Sequence, residues 1–385
     1  MGTIRIAIVA GEASGDLLGS HLVAALRARL PQAEFVGIGG PKMIAAGVQS
    51  FFPLEKLAVN GYVEVIKSLP AILAIRRRLK RKLLALRPQL FIGVDAPDFN
   101  FNLERYLRKR GITTVHFASP SIWAWRGNRI RQIKRAVDHM LLLFPFEKAL
   151  YDRAAIPATY IGHPLADGIP LSIDRNAVRD QLKLSHAATI VALLPGSRQS
   201  ELQLHADLFI QTAQRLQAQI PGIQFLVPLA TKATRTWFES ALYRHAAADL
   251  ALTILFGHAQ EAMAAANCVL VASGTATLEA ALLKRPMVIT YRVSKLTYCL
   301  MWSRRYLPYI GLPNILAGRF IVPELLQEQA TPENLAQAVR NWLEDKRAGA
   351  ALIDEFQHMH STLRQNTAQR ATDALISLLQ ARGLC

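Results

Sequence analysis

The feature that most constrains this chain is a repeated pattern. A short, continuous apolar run ends in a loop of small or polar residues, and an amphipathic helical stretch often follows. In the first half the runs are Ile4–Ala10, Phe35–Ile38, Leu90–Val94, Thr113–Phe117, Met140–Phe144 and Thr159–Ile161. A second set comprises Thr189–Leu194, Ile223–Pro228, Leu252–Phe256, Cys268–Ala272 and Met287–Thr290. Strands that are apolar on both faces, alternating with helices, predict α/β architecture with parallel sheets covered on both sides. The stretch Gly162–Arg179 between the sets is rich in Pro, Gly and Asp and reads as the linker. At 385 residues the chain exceeds one typical domain. The expected division is therefore 1–170, 171–350, and C-terminal helices over 351–385. Those helices would pack back on the first domain or exchange between two copies.

Composition narrows the class. With 51% hydrophobic and 19% charged residues the chain is globular, not disordered. A net charge of +17 implies an anionic partner: a phosphate-bearing substrate, an acidic membrane surface or nucleic acid. Cys268, Cys299 and Cys385 have no paired spacing, which fits a reducing compartment and excludes a C-x-x-C metal site. Met1–Ala10 is too short for a signal peptide, and no uncharged apolar stretch has the length of a membrane span. The expectation is a cytosolic protein, or one resting on a membrane without crossing it.

Ligands of α/β sheets bind at the C-terminal ends of strands, so the loops there carry the candidate chemistry. Gly11-Glu12-Ala13-Ser14-Gly15-Asp16 follows the first strand, but it is not G-x-G-x-x-G. Glu12 also places a negative charge where a pyrophosphate would sit, so no NAD or FAD site is expected. Asp95 and Asp98 follow the Leu90–Val94 strand, with Asn100 beside them. Asp95 reads as a general base for an attacking hydroxyl. Asp98 either assists or caps the next helix. A magnesium site at D-x-x-D would need a third ligand that is not in view. Ser119–Arg126 places Ser121, Trp123 and Trp125 where an acceptor could sit, or where they simply pack. His163 reads more readily as structural.

In the second half, Gly196-Ser197-Arg198 follows a strand, with Glu201 just inside the next helix. The loop's N–H groups and guanidinium suit a phosphate, unless Arg198 pairs with Glu201. Ser273-Gly274-Thr275-Ala276-Thr277, leading to Glu279, forms a second such turn, with a helix over Ala276–Lys284. It offers N–H groups to a diphosphate and a carboxylate to a ribose, or it is an ordinary capped turn. Leu312-Pro313-Asn314 adds another polar tip.

One stretch departs from the pattern. Within Ala58–Arg87, Val65, Ile66, Leu69, Ile72, Leu73 and Leu79 recur at near-helical spacing among Lys67, Arg76, Arg77, Arg78, Lys80, Arg81 and Lys82. This is either a helix packed on the sheet with a solvated basic face or a surface that rests on anionic lipid. Lys295–Ile310 carries a similar mixture, with Tyr298, Met301, Trp302, Arg304, Arg305, Tyr306 and Tyr309. No nucleic-acid-binding module is visible, so nucleic acid is not the expected partner.

Eight motifs in order resemble those of the bacterial lipid-A-disaccharide synthase family. They are G-E-A-S-G-D at 11–16, D-A-P-D-F-N at 95–100, S-P-S-I-W-A-W-R at 119–126 and P-F-E-K at 145–148. I-G-H-P-L-A-D at 161–167, L-P-G-S-R at 194–198, S-G-T-A-T-L-E at 273–279 and L-P-N-I-L-A-G-R at 312–319 complete the set. The resemblance implies a metal-independent, inverting glycosyltransferase of GT-B type: two Rossmann-like domains whose parallel sheets face across a cleft. It implies transfer from UDP-2,3-diacylglucosamine to 2,3-diacylglucosamine 1-phosphate (lipid X), giving UDP and the β-1′,6-linked lipid A disaccharide 1-phosphate. No cofactor is implied. Asp95 would be the base, and Glu12, Arg198, Glu279 and Asn314 would line the active site. The family's members sit peripherally on the cytoplasmic side of the inner membrane, and the resemblance allows a homodimer exchanging C-terminal segments. At 163–164 the chain has His-Pro where some relatives have His-Thr. Two other classes stay open: a UDP-sugar 2-epimerase on the same scaffold, and a non-catalytic lipid- or nucleic-acid-binding protein.

Overall fold

The structure, a computed structural model, describes residues 4–57, 62–294, 298 and 305–384, with the backbone alone over 62–68. The chain divides into two compact units: Met1–Asp167 with Leu363–Cys385, and Gly168–Thr362. The linker region therefore holds the first crossing. The second falls at Leu363, later than the expected 350/351 boundary, because the helix Lys346–Leu363 runs on to the end of the second unit.

The first unit is built on seven parallel strands. These are β1 (Arg5–Ala10), β2 (Glu34–Ile38), β3 (Val48–Ser50), β4 (Leu90–Val94), β5 (Thr113–Phe117), β6 (His139–Leu142) and β7 (Ala158–Tyr160). Their order is β3-β2-β1-β4-β5-β6-β7, so the winding direction reverses between β1 and β4. In register, Ala10 lies beside Val94. β1, β4 and β5 are almost wholly buried, as continuous apolar runs require. One core packs Ile6, Ile8, Leu22, Leu26, Phe91, Ile92, Leu103 and Leu107 together with Leu375 and Leu379 from the C-terminal segment. A second, smaller core gathers Phe101, Ile122, Ile133, Met140, Leu142, Tyr151 and Ile156.

The helix Thr367–Gln380 thus completes the first unit. It packs along the helix Ala13–Arg29, and Arg29 pairs with Asp373 at 2.9 Å. The carboxylate of Asp167 accepts from the N–H groups of Asn366 (2.9 Å) and Thr367 (2.6 Å), capping that helix from a distant part of the chain. Gly162, at φ 88°, lies where a Cβ would come within 2.7 Å of the Leu363 carbonyl. The 161–167 motif is in this respect a seat for the C-terminal segment.

The second unit holds six parallel strands: β8 (Ile190–Leu194), β9 (Gln224–Leu229), β10 (Leu252–Phe256), β11 (Cys268–Ala272), β12 (Met287–Tyr291) and β13 (Glu324–Leu326). Their order is β10-β9-β8-β11-β12-β13, and the reversal falls between β8 and β11. Its core includes Leu193, Phe209, Phe225, Val227, Leu270 and Val288.

The basic amphipathic stretch is helical over Tyr62–Leu86, with Pro70 inside it. Ile75, Leu79 and Leu83, four residues apart, bury one face in the first core. Leu69 is 47% and Leu73 43% exposed, and Arg77 continues that outward stripe. Ile72, expected at a membrane contact, is half-buried against the core, and Arg76 is also half-buried. The side chains of Val65 and Ile66 lie outside the described residues, as do Met301, Trp302 and Arg304. Among the described residues, no helix is long and apolar enough to cross a membrane.

Candidate functional site

In each unit two loops leave the sheet at the strand pair where its winding reverses, the place where open α/β sheets take ligands. In the first unit these follow β1 and β4 and carry Glu12 and Asp95. In the second they follow β8 and β11 and carry Arg198 and Ser273–Thr275.

Glu12 is exposed and occupies the N-cap position of the helix Ala13–Arg29. Gly11 is required there, since a Cβ would come within 2.3 Å of that of Ala96. The loop's other acid, Asp16, turns inward and accepts from the N–H groups of Gly40, Lys42 and Met43 at 2.8–3.1 Å.

Asp95 is half-exposed and sits at φ 51°, followed by Ala96 at φ 44°. Two successive non-glycine residues in the left-handed region need external support. The Asp95 N–H donates to Phe117 O at 2.9 Å, and its main-chain oxygen accepts from Asn100 Nδ2 at 2.8 Å. Asn100 also donates to Val9 O at 3.3 Å, tying the ends of β1 and β4 together. This corrects one expectation: Asn100 is fully buried and does not face an acceptor. One turn further along the same helix, Glu104 Oε1 lies 2.7 Å from His116 Nδ1, both fully buried. Burial pushes Glu104 upward, and His116 pulls it back. Gly93 leaves room for this pair, since a Cβ there would lie 2.2 Å from Glu104 Oε1.

Asp98 caps nothing; the N-cap position belongs to Ala96. Its exposed carboxylate pairs with Arg129 at 2.5 Å. Ser121 is exposed. The indole N–H of Trp123 donates to Glu147 Oε1 at 3.1 Å, while Trp125 lies under the Arg126 guanidinium at 4.1 Å. His163 is 8% exposed, accepts at Nδ1 from the Leu165 N–H at 3.2 Å, and is held near 4 by burial. It is a neutral ring at physiological pH.

In the second unit, Arg198 is exposed and its guanidinium forms no ion pair among the described residues. Glu201 does not pair with that side chain. Its Oε2 accepts from the main-chain N–H groups of Ser197 (2.9 Å) and Arg198 (3.2 Å). A carboxylate therefore already occupies two N–H groups expected to cradle a phosphate, while the exposed guanidinium stays available. Gly196, at φ 130°, packs directly on Glu201, where a Cβ would meet that of Glu201 at 2.5 Å.

The Ser273–Thr275 turn is open. Gly274, at φ 131°, is exposed with empty space around it, and the helix Thr275–Leu282 begins there. Thr275 is exposed, Ser273 and Ala276 are half-exposed, and Glu279 is largely enclosed, and this burial pushes its carboxyl above the usual carboxylate range. Thr277 differs from expectation. It is fully buried, donates to Gly274 O at 2.8 Å and accepts from the Leu312 N–H at 3.3 Å.

Asn314 is likewise a clamp rather than a lining residue. Fully buried, it donates to Val322 O (2.9 Å) and Glu324 Oε1 (2.8 Å) and accepts from the Ile321 and Val322 N–H groups. Glu324 in turn accepts from the N–H groups of Ile310 and Gly311 at 2.8 and 2.9 Å. The sequence offered no signal for Glu324, which sits on the short edge strand β13.

A profile of the lipid-A-disaccharide synthetase family matches residues 6–377. The lipid-A-disaccharide synthase of Dechloromonas aromatica is 56% identical over 377 residues, spanning 98% of this chain and 99% of that protein. Among solved structures, the UDP-GlcNAc 2-epimerase of Neisseria meningitidis bound to UDP-GlcNAc aligns with a TM-score of 0.62 at 12% identity. That alignment covers 99% of this chain and 100% of the epimerase. Anabaena HepE in complex with UDP and glucose aligns at 0.58 and 14% identity over 98% of this chain and all of its own. These two likenesses show the fold, a two-sheet α/β architecture of GT-B type.

Proposed function

The chain belongs to the lipid-A-disaccharide synthetase family, and from that premise we propose that it is an inverting, metal-independent glycosyltransferase. It takes 2,3-diacylglucosamine from UDP-2,3-diacylglucosamine and places it on the 6-hydroxyl of 2,3-diacylglucosamine 1-phosphate (lipid X). The observation that carries this reading is that each sheet, taken by itself, presents polar loops at its own reversal point. Carboxylates crowd the loops of the first sheet, and an exposed guanidinium with an open helix start marks the second.

Asp95 accepts the proton of the acceptor hydroxyl as that oxygen bonds to the donor's anomeric carbon. The bond from that carbon to the diphosphate oxygen breaks in the same displacement, which inverts the centre and yields the β-linkage. Negative charge grows on the departing UDP. Arg198 and the N–H groups at Thr275 and Ala276 stabilise it without a metal. Glu279 lies one turn into that helix, where it meets the ribose. Glu12, on the loop after the neighbouring strand β1, completes the acceptor side.

The acyl chains of both substrates require work at a lipid surface. The exposed Leu69 and Leu73, followed by Arg77, support a peripheral site on the anionic inner membrane, on its cytoplasmic side.

The test is turnover of the authentic pair, read as disaccharide and UDP. Asp95→Ala should abolish turnover while UDP still binds. No product from the wild-type chain, or isomerisation of UDP-GlcNAc instead, would sink this assignment.

A further inference from the structure

The P-F-E-K motif at 145–148 has no role in the chemistry above, yet it lies on the same edge of the first sheet as Asp95. Trp123, Phe144 and Phe146 are all half-exposed, and none belongs to either apolar core of the first unit. The three rings nevertheless form an ordered group. Trp123 meets Phe146 edge-on at 5.3 Å and 87°. Phe144 and Phe146 lie parallel at 5.7 Å, within 4°. The neutral ring of His163 closes the group at 5.5 Å from Phe144.

A buried acid holds this assembly. Glu147 is 1% exposed and accepts from the Trp123 indole at 3.1 Å and from the Phe144 N–H at 3.1 Å. Beside it, the Ser119 hydroxyl lies 3.0 Å from Pro120 O and 2.7 Å from Tyr151 OH. Burying a carboxyl beside partly exposed rings has a cost that simple packing does not explain. The gain is rigidity: the indole and the Phe144–Phe146 turn are both fixed through one group.

We propose that Trp123, Phe144 and Phe146, with His163 at the rim, form the stacking platform for the pyranose ring of the acceptor. Glu147 is the positioning residue that keeps the platform in shape. The inference rests on the acceptor-side reading of the first unit. The C–H face of a sugar packs well on flat aromatic carbon, and the half-exposed rings supply such a surface. The loops after β5, β6 and β7 carry these residues, and Asp95 follows β4. Neighbouring strands lie ~4.8 Å apart, so β6 is about 10 Å from β4, within reach of a single hexose and its hydroxymethyl group.

The test uses the full chain with both substrates varied separately. Phe146→Leu should raise the acceptor KM about tenfold and leave the donor KM within about twofold. Phe146→Tyr, which retains the ring, should stay near wild type. Glu147→Ala should raise the acceptor KM in the same direction. An unchanged acceptor KM in active variants overturns the platform, whereas absence of wild-type turnover would overturn the function itself. An effect that disappears with short-chain acceptors would also overturn it, assigning the rings to acyl chains. Should Phe146→Leu fail to fold, saturation transfer in the wild-type protein decides. Irradiated aromatic protons should pass magnetisation to the ring protons of glucosamine 1-phosphate, and no transfer overturns the proposal.

Discussion

Asn100 donates its side-chain amide to the main-chain oxygen of Asp95 at 2.8 Å, and so holds a candidate base in a left-handed conformation. Asn100→Asp keeps the shape and removes the donor. The expected outcome is a fall in kcat of about 10²-fold, the scale of a small misplacement at the reacting centre. Both KM values should stay within about threefold. Steady-state kinetics check this, and an equal rise in both KM values with kcat intact would contradict it.

Glu147 gives a pH signature in stability. Its folded-state value is pushed up to about 8 from an ordinary 4.5, by burial against the pull of Phe144, Trp123 and Ser119. Between those values the folded chain keeps a proton that the unfolded chain has released. Stability therefore falls as pH rises through this window and levels off near pH 8. Glu147→Gln carries no titrating group, so its melting temperature relative to wild type should rise between pH 5 and pH 8.5. A difference independent of pH would show that the carboxyl is ionised throughout.

The outward stripe of the helix Tyr62–Leu86 predicts a loss confined to membranes. Leu69→Ser with Leu73→Ser removes two exposed side chains, each contributing about 1.5–3 kcal/mol when fully buried in lipid. Binding to anionic vesicles, measured by co-sedimentation, should weaken at least about tenfold while the melting temperature hardly moves. Ile75→Ser should do the reverse, because Ile75 belongs to the core.

Asp167→Ala removes the carboxylate that caps the helix Thr367–Gln380, and should destabilise the protein by about 1–2 kcal/mol. Hydrogen exchange should rise first in that helix, before β1 or β4 respond. Protection lost uniformly across the first unit would mean that the helix and sheet open together.

What the sequence made legible depended on chemistry that repeats along the chain. Leu90–Val94 and Cys268–Ala272 are continuous apolar runs and form the strands expected. β3 and β13 each span three residues at a sheet edge, too short to leave a pattern. The loops bearing Glu12, Asp95, Arg198 and Ser273 were visible because glycine and polar residues interrupt those runs. The direction in which a polar side chain turns was not visible. Asn100, Thr277 and Asn314 stand in the first turn of the helices that follow such loops, but each turns inward to satisfy main-chain groups that only the fold brings together. The P-F-E-K motif carried the opposite ambiguity. Nothing in four letters indicates that Glu147 is buried or that Phe144 and Phe146 stay outside the core.

Leu375 and Leu379 join the first unit's core although they belong to the end of the chain. During synthesis, β1 through β7 leave the ribosome with part of their packing surface still missing. Closing that surface must wait for more than two hundred further residues, roughly 10–40 s at ordinary rates of elongation. For that interval the face of the helix Ala13–Arg29 that receives the helix Thr367–Gln380 stays uncovered. The half made first is thus the half finished last, so a ribosome stalled within the second unit would leave the first one a client for chaperones.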